Sequence, residues 1–413
     1  MRYGLIGEKL PHSFSGVIHK KIGLYDYELL ELEKSELDAY MTERDFDGIN
    51  VTIPYKRDVM KYMHKISDGA LMAGAVNVVV NRGGKLYGYN TDFEGMRGMI
   101  LGMGFSFEGK KIVILGTGGT SHTARAVASD LGAGEIVIVS REAREGAVKF
   151  DESFAHYDAD FLINTTPAGM YPNDEDVPYG MDIGRFTRLE GVIDAIYNPL
   201  RTNLVSRAGL LGIRAVGGLY MLVSQAVLAA EYFTGKKLGS ELCDKIFREL
   251  SAEKASIVLT GMPGSGKSTV GKILAERLGR ALYDTDEEFE KKYGDVAEFI
   301  REHGEGAFRD KESEVIKELS KRSEPCVIST GGGAVLRGEN VNRLRRNGRL
   351  YYLDRDIDLI TPTADRPLSS DREALRKRYE ERRAIYEGTC DKIISNNGDA
   401  AFAADRIAED FFG

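Results

Sequence analysis

Short apolar runs alternate along the chain with stretches in which apolar residues return every three or four positions. Runs of four to eight residues bounded by Gly, Asn, Asp or Pro read as strands, and the 3.6-residue rhythm reads as helix. In the first hundred residues, 2–6, 25–31, 48–53 and 75–80 predict strands, and 35–43 and 92–101 predict helices. Residues 86–89, after the Arg82-Gly-Gly turn, predict the second arm of a hairpin with 75–80. At Lys111–Leu115 the run becomes continuously apolar, as in a strand buried on both faces. A glycine-rich loop and a helix over 122–131 follow, then strands at 135–139, Phe161–Asn164 and 192–194, a Rossmann-like rhythm. Residues 218–233 and 241–250 predict amphipathic helices that return to the first unit.

This pattern predicts an α/β protein in pieces: an α/β unit over 1–104 completed by helices within 218–250, a Rossmann unit over 105–217, a short polar linker at 251–256, and a last α/β unit over 257–413. A length of 413 residues fits two or three domains. A net charge of −8 argues against a nucleic-acid partner. No apolar run reaches the ~18–20 residues that span a bilayer, so no membrane partner is expected. The start, MRYGLIGEKL, lacks the pattern of a signal peptide, and Cys243, Cys326 and Cys390 are scattered; both point to a cytoplasmic enzyme with free thiols. The oligomeric state stays open, with a homodimer among the options.

The strongest motif lies in the last unit. Gly261-Met-Pro-Gly264-Ser265-Gly266-Lys267-Ser268 matches the P-loop spacing, between an apolar strand and a helix start. Its N–H groups, with Thr269 beside them, would cradle the phosphates of ATP, Lys267 would reach the β/γ-phosphates and Ser268 would hold Mg²⁺. Downstream, Asp284 and Asp286 stand at i and i+2, on one side of a chain read as extended. One carboxylate could serve Mg²⁺ through water and the other an acceptor hydroxyl.

In the Rossmann unit, Gly116-Thr117-Gly118-Gly119-Thr120-Ser121 allows a tight turn and close approach of a pyrophosphate to a helix N-terminus. The next strand ends in Ser140-Arg141, with Arg144 nearby, where a cofactor lacking a 2′-phosphate would want a carboxylate; this points to NADP. In the first unit, His12-Ser13-Phe14-Ser15 offers hydroxyls, Asn50-Val-Thr52-Ile-Pro-Tyr-Lys56 delivers a lysine beyond a strand end, and Asn77 and Asn90-Thr-Asp92 add amides and a carboxylate. Each alone is more often a cap or turn.

Together and in order, these runs resemble shikimate dehydrogenase over residues 1 to about 250. Asn164-Thr-Thr, Asp194-Ala-Ile-Tyr197-Asn-Pro199 and Gly218-Leu-Tyr-Met-Leu-Val-Ser-Gln225 extend the match. The resemblance implies a catalytic pair of Lys56 and Asp92. It places Ser13, Ser15, Thr52, Asn77, Asp92, Tyr197 and Gln225 in the substrate pocket and Gly218 by the nicotinamide of NADP(H). The implied reaction is reduction of 3-dehydroshikimate to shikimate.

Residues 257–413 resemble shikimate kinase. The P-loop, Asp284-Thr-Asp286, Phe308-Arg309, Thr330-Gly331-Gly332-Gly333, Arg366-Pro-Leu and Glu381-Arg382 stand in family order. The resemblance implies that Asp286 positions or deprotonates the acceptor hydroxyl. It implies that Arg309, Arg382 and the Gly331–Gly333 loop bind the acid, and that Arg366 on a lid neutralises the transferring phosphate. The segment 357–365 lacks the arginine that many members place on adenine. Two other readings stay open: NAD-dependent oxidation of quinate or shikimate fused to a small-molecule kinase, and a non-catalytic sensor of shikimate or ATP. The basic residues after the second Rossmann strand weigh against the first. Lys56, Asp92, Lys267, Ser268 and Asp286 weigh against the second.

Overall fold

The computed structural model describes residues 2–10, 14–151, 154–322, 324–360 and 372–413. The chain divides into two units, Met1–Phe247 and Arg248–Gly413. Among the described residues the strands form three sheets, two in the first unit and one in the second.

The first sheet contains β1 (Tyr3–Gly7), β2 (Tyr27–Glu31), β3 (Gly48–Val51), β4 (Lys65–Ile66), β5 (Val78–Arg82) and β6 (Lys85–Tyr89), in the order β2-β1-β3-β5-β6-β4. The strands β1, β2 and β3 are parallel, and β5 and β6 form the expected hairpin around Gly83 and Gly84, both at positive φ. Every residue of β1 and β3 is buried, which is why both read as apolar runs, interrupted in β3 only by Asn50.

The second sheet contains β7 (Lys111–Leu115), β8 (Glu135–Ser140), β9 (Val148–Lys149), β10 (Phe161–Asn164), β11 (Gly191–Asp194) and β12 (Arg214–Val216), all parallel, in the order β12-β11-β10-β7-β8-β9. The chain winds one way from β7 and the other way from β10. The crevice between these two strand ends is where an open α/β sheet receives a ligand. Helix Gly119–Asp130 starts three residues earlier than the apolar rhythm predicts, so Gly119, Thr120 and Ser121 form its first turn.

Helix Leu219–Thr234 returns to the first sheet, and two glycines let it approach. A Cβ on Gly48 would lie 2.4 Å from the Phe233 ring, and one on Gly95 would lie 3.1 Å from the Met221 carbonyl oxygen. Gly95 belongs to helix Thr91–Gly102, so this close crossing sets Asp92 and Gln225 beside the same cavity.

The third sheet contains β13 (Ser256–Thr260), β14 (Leu282–Asp284), β15 (Val327–Ser329), β16 (Gly348–Asp354) and β17 (Lys392–Ser395), parallel, in the order β14-β15-β13-β16-β17. The P-loop leaves the central strand β13.

The polar run 251–256 is not the linker its composition predicts. Helix Gly239–Lys254 continues through residues 251–254, and β13 begins at Ser256. Glu, Lys and Ala favour helix. The segment is also tied down: Ala252 and Ala255 are buried, and the Arg280 guanidinium donates to both of their carbonyls at 2.8 Å. No helix among the described residues is long and apolar enough to cross a membrane.

Candidate functional site

In the first unit two cavities share a wall. One, of about 410 Å³, is lined by Ser15, Thr52, Lys56, Asn77, Asp92, Tyr197 and Gln225. The other, of about 620 Å³, is lined by Thr117, Gly118, Gly119, Thr120 and Gly218, and again by Lys56, Asp92, Tyr197 and Gln225. The residues expected to hold substrate and those expected to hold cofactor therefore meet at one lysine and one carboxylate.

Lys56 stands in the turn after β3, and Asp92 in the first turn of helix Thr91–Gly102, where the helix N-terminus favours a negative charge. Lys56 Nζ donates to Asp92 Oδ2 at 2.6 Å, with both side chains partly open to the cavities. Asn90 caps the helix by accepting from the Phe93 N–H at 3.0 Å. Asn77 Oδ1 accepts from the Thr91 N–H at 2.7 Å, which leaves the Asn77 amide nitrogen to donate to a ligand. Behind it, Asn50 Nδ2 reaches the Asn77 carbonyl and Asn50 Oδ1 accepts from the Tyr27 hydroxyl at 2.7 Å. Sequence reasoning assigned no role to Thr91 or to Tyr27. Their partners are distant in sequence, and no local signal marks them. Burial keeps the Tyr197 hydroxyl protonated by raising its pKa.

On the cofactor side the structure fits a dinucleotide. Gly116 has φ 107°, and a Cβ there would lie 2.7 Å from Thr165 Oγ1. A Cβ on Gly218 would lie 2.2 Å from the Ala195 carbonyl oxygen, so only glycine fits that floor. Arg144 donates to Thr117 Oγ1 at 3.0 Å, bringing a guanidinium over the glycine-rich loop. Arg141 and Arg144 both act on the nearby Tyr179 hydroxyl, whose pKa is raised by burial against their opposing charge. Ser140 departs from expectation. It is buried and its hydroxyl donates to the Glu142 carbonyl, so its proton is spent on shaping the turn.

In the second unit Gly261, Gly264 and Gly266 take positive φ, and helix Lys267–Leu278 starts at the end of the loop. Lys267 Nζ donates to the Gly261 and Met262 carbonyls at 2.9 Å each, which holds its charge in the loop mouth. Ser268 Oγ donates to Asp284 Oδ2 at 2.8 Å, so the two oxygens expected to serve a cation stand together. Among the described residues no cluster of three or more His, Cys, Asp or Glu side chains could hold a metal by itself. Asn396, after β17, donates to the Ser265 carbonyl at 2.6 Å, and a Cβ on Gly266 would lie 2.5 Å from its Nδ2. That residue, 131 positions from its partner, was missed.

The Asp284–Asp286 pair needs a correction. The backbone is not extended through it: Asp284 is the N-cap of helix Thr285–Tyr293 and accepts from the Asp286 N–H at 3.0 Å. Asp286 lies in the first helical turn and faces the glycine run. A Cβ on Gly331 would lie 2.6 Å from Asp286 Oδ1, one on Gly332 2.7 Å from Pro263 Cδ, and one on Gly333 2.3 Å from the Arg309 guanidinium. Thr285 Oγ1 accepts from the Gly331 N–H at 2.7 Å and joins the two segments.

Arg309 donates to Glu312 at 2.8 Å and to Glu305 at 3.1 Å. Glu312 is buried, burial pushes its carboxyl up, and Arg309 opposes that shift. Its position three residues after Arg309 on a helix is the signal that could have found it. The structure separates the neighbouring arginines of helix Arg372–Thr389. Arg382 is buried and donates to the Gly332 carbonyl at 3.1 Å beside Tyr386, whereas Arg383 is exposed and pairs with Glu387. Ser13 and Arg366 lie outside the described residues.

Comparison with known proteins agrees with this geometry. Residues 5–79 match the shikimate dehydrogenase substrate binding domain, and residues 263–411 match the shikimate kinase family model. The chain is 37% identical over 261 residues to the shikimate dehydrogenase (NADP(+)) of Clostridium beijerinckii, covering 59% of this chain and 96% of that one. A chorismate mutase/shikimate 5-dehydrogenase fusion protein from Clostridium acetobutylicum superposes with a TM-score of 0.54 at 34% identity, over 60% of this chain and 96% of that one. The shikimate 5-dehydrogenase of Thermus thermophilus, solved with NADP(H) and shikimate, gives a TM-score of 0.53 at 26% identity, over 60% of this chain and 99% of that one. The chain therefore belongs to the shikimate dehydrogenase family through its first unit and carries a shikimate kinase domain in its second.

Proposed function

We infer that the chain is a bifunctional enzyme of the shikimate pathway, reducing 3-dehydroshikimate to shikimate and then phosphorylating shikimate at its 3-hydroxyl. The observation that carries the first activity is the Lys56–Asp92 pair at 2.6 Å, shared by the substrate-side and cofactor-side cavities.

NADPH, when bound, supplies the hydride; Gly116, Thr117, Gly118, Gly119, Thr120 and Gly218 would hold it, with Arg141 and Arg144 against its 2′-phosphate. As the 3-keto oxygen gains negative charge, the Lys56 ammonium stabilises it and donates a proton. Asp92 keeps the lysine aimed. Asn77 donates to a substrate oxygen, and Ser15, Thr52, Tyr197 and Gln225 supply further polar contacts. In the reverse direction Lys56, once deprotonated, is the base.

In the second unit ATP, when bound, supplies the phosphoryl group. The N–H groups of the P-loop and Lys267 hold its phosphates, and Ser268 and Asp284 would hold Mg²⁺, Asp284 through water. Asp286 orients the acceptor hydroxyl. Arg309 and Arg382 pair with the shikimate carboxylate. Buried pairing to Glu312 and the Gly332 carbonyl fixes both guanidiniums before the acid arrives.

A coupled assay tests the reading. Purified protein given 3-dehydroshikimate, NADPH, ATP and Mg²⁺ should accumulate shikimate 3-phosphate. Failure to consume NADPH, or a preference for NADH or for quinate, would overturn it.

A further inference from the structure

Two runs that carry the family resemblance, Asn164-Thr-Thr and Asp194-Ala-Ile-Tyr197-Asn-Pro199, enter the reaction above only through Tyr197. Two of their other polar residues, Asn164 and Asp194, are fully buried. Asn164 ends β10 and Asp194 ends β11; the two are register partners on adjacent parallel strands, and both are 0% exposed. Asp194 Oδ1 accepts from Asn164 Nδ2 at 2.9 Å and from the Ile196 N–H at 3.0 Å, and Oδ2 accepts from the Thr202 hydroxyl at 2.6 Å.

These donors are all neutral. Burying a carboxylate on neutral donors alone is expensive, and an apolar or amide group would serve mere packing better. Burial pushes the Asp194 carboxyl up to about 6, and the three donors oppose that shift. What a carboxylate offers is that it only accepts. Asn164 must turn its NH₂ toward Asp194, so its carbonyl faces the other way and accepts from the Thr166 N–H at 3.0 Å and the Thr166 hydroxyl at 2.8 Å. Thr202 must donate its proton to Asp194, so its oxygen is left to cap helix Asn203–Leu210.

The ends of this chain of bonds adjoin segments that line the ligand cavities. Thr165, beside Thr166, donates to the Leu115 carbonyl at 2.6 Å and closes off the space next to Gly116. Residues 195–202 carry Tyr197 into both cavities, and the Ile196 carbonyl accepts from the Gly218 N–H at 2.8 Å.

We propose that Asp194 is a positioning residue for the dehydrogenase reaction: by accepting from Asn164, Ile196 and Thr202 it sets the glycine-rich loop, the Gly218 floor and the Tyr197 wall at their mutual spacing. The proposal rests on the shikimate dehydrogenase reading of the first unit. It assigns to Asp194 no contact with substrate or cofactor.

The test uses the full chain. Asp194→Asn keeps the shape and can keep every bond, but it removes the fixed donor–acceptor direction. Its KM for shikimate and its Kd for NADP⁺, measured by titration without turnover, should each rise about fivefold or more, with kcat changed about twofold at most, the pattern of lost uniform binding. Phosphorylation by the same preparation should be unchanged. Thr202→Val should raise the same two constants less, and Thr202→Ser should restore them. Unchanged constants in Asp194→Asn would overturn the proposal. If that variant fails to fold, Thr202→Val decides, and constants equal to those of Thr202→Ser would overturn it. Wild-type protein that cannot oxidise shikimate with NADP⁺ would instead overturn the reading on which the proposal rests.

Discussion

Lys56 and Asp92, 36 positions apart, meet at 2.6 Å where the substrate-side and cofactor-side cavities adjoin. In the proposed mechanism Lys56→Ala removes both the charge that stabilises the developing oxyanion and the proton donor. Dehydrogenase kcat should fall by about 10²–10⁴-fold, the usual worth of a positioned acid–base group. Phosphorylation of added shikimate should persist. Lys267→Ala should do the reverse. Assays of NADPH oxidation and ADP release on each variant check this, and loss of both activities in either would show that the units do not act independently.

Arg144 lies on Thr117 of the glycine-rich loop, and Arg141 is close by. Hydrogen bonds to charged groups are worth about 1.5–3 kcal/mol, so Arg141→Ala with Arg144→Ala should cut the preference for NADP over NAD by about 10–100-fold. The ratio of the two kcat/KM values measures it. A ratio that does not move would place the 2′-phosphate elsewhere.

Gly333→Ala would put a Cβ 2.3 Å from the Arg309 guanidinium, which Glu312 and Glu305 hold from the other side. Arg309 can yield only by leaving the buried Glu312, and breaking such a pair costs about 3–5 kcal/mol. The KM for shikimate in the kinase reaction should rise about tenfold or more, since 1.4 kcal/mol already gives that factor. ATP binding, read by titration with a non-hydrolysable analogue, should be unchanged. Parallel losses of both would point to collapse of the site.

His19 is buried, stacks on Tyr27 at 3.8 Å and shares a 2.7 Å hydrogen bond with the Tyr25 hydroxyl. Burial lowers its pKa to about 3, with a hydrogen bond to the Asn50 side chain opposing. Above pH ~6.5 the ring is neutral in both the folded and unfolded chain, and its contribution to stability is complete. Below that, only the unfolded chain takes the proton, so stability falls until the pH reaches the folded value. By pH 5 the loss from this group is about 2 kcal/mol. Melting of the dehydrogenase unit should shift downward from pH 7 to pH 5, and His19→Gln should flatten that shift. Equal slopes in the two proteins would refute the assignment.

The amino-acid pattern alone predicts the main strands of the first two sheets and both glycine-rich loops, and the resemblance names Lys56 and Asp92, which the fold brings together. Strand, turn and phosphate-loop signals are local: a buried parallel strand needs an apolar run, and a P-loop needs glycines at set offsets. Which side chains meet depends on how the elements pack. The tertiary structure chose Arg382 over Arg383 by burying one face of a charged helix, a choice that spacing alone leaves open. It replaced an extended Asp284–Asp286 strand by a capped helix start, because Asp284 satisfies the Asp286 N–H. It turned the polar run 251–256 into helix and strand, because Arg280 binds the carbonyls of that segment. Asn396, Glu312 and Asp194 take their roles from packing. Each is a polar group removed from water, and a group removed from water must find its partner wherever the fold brings one.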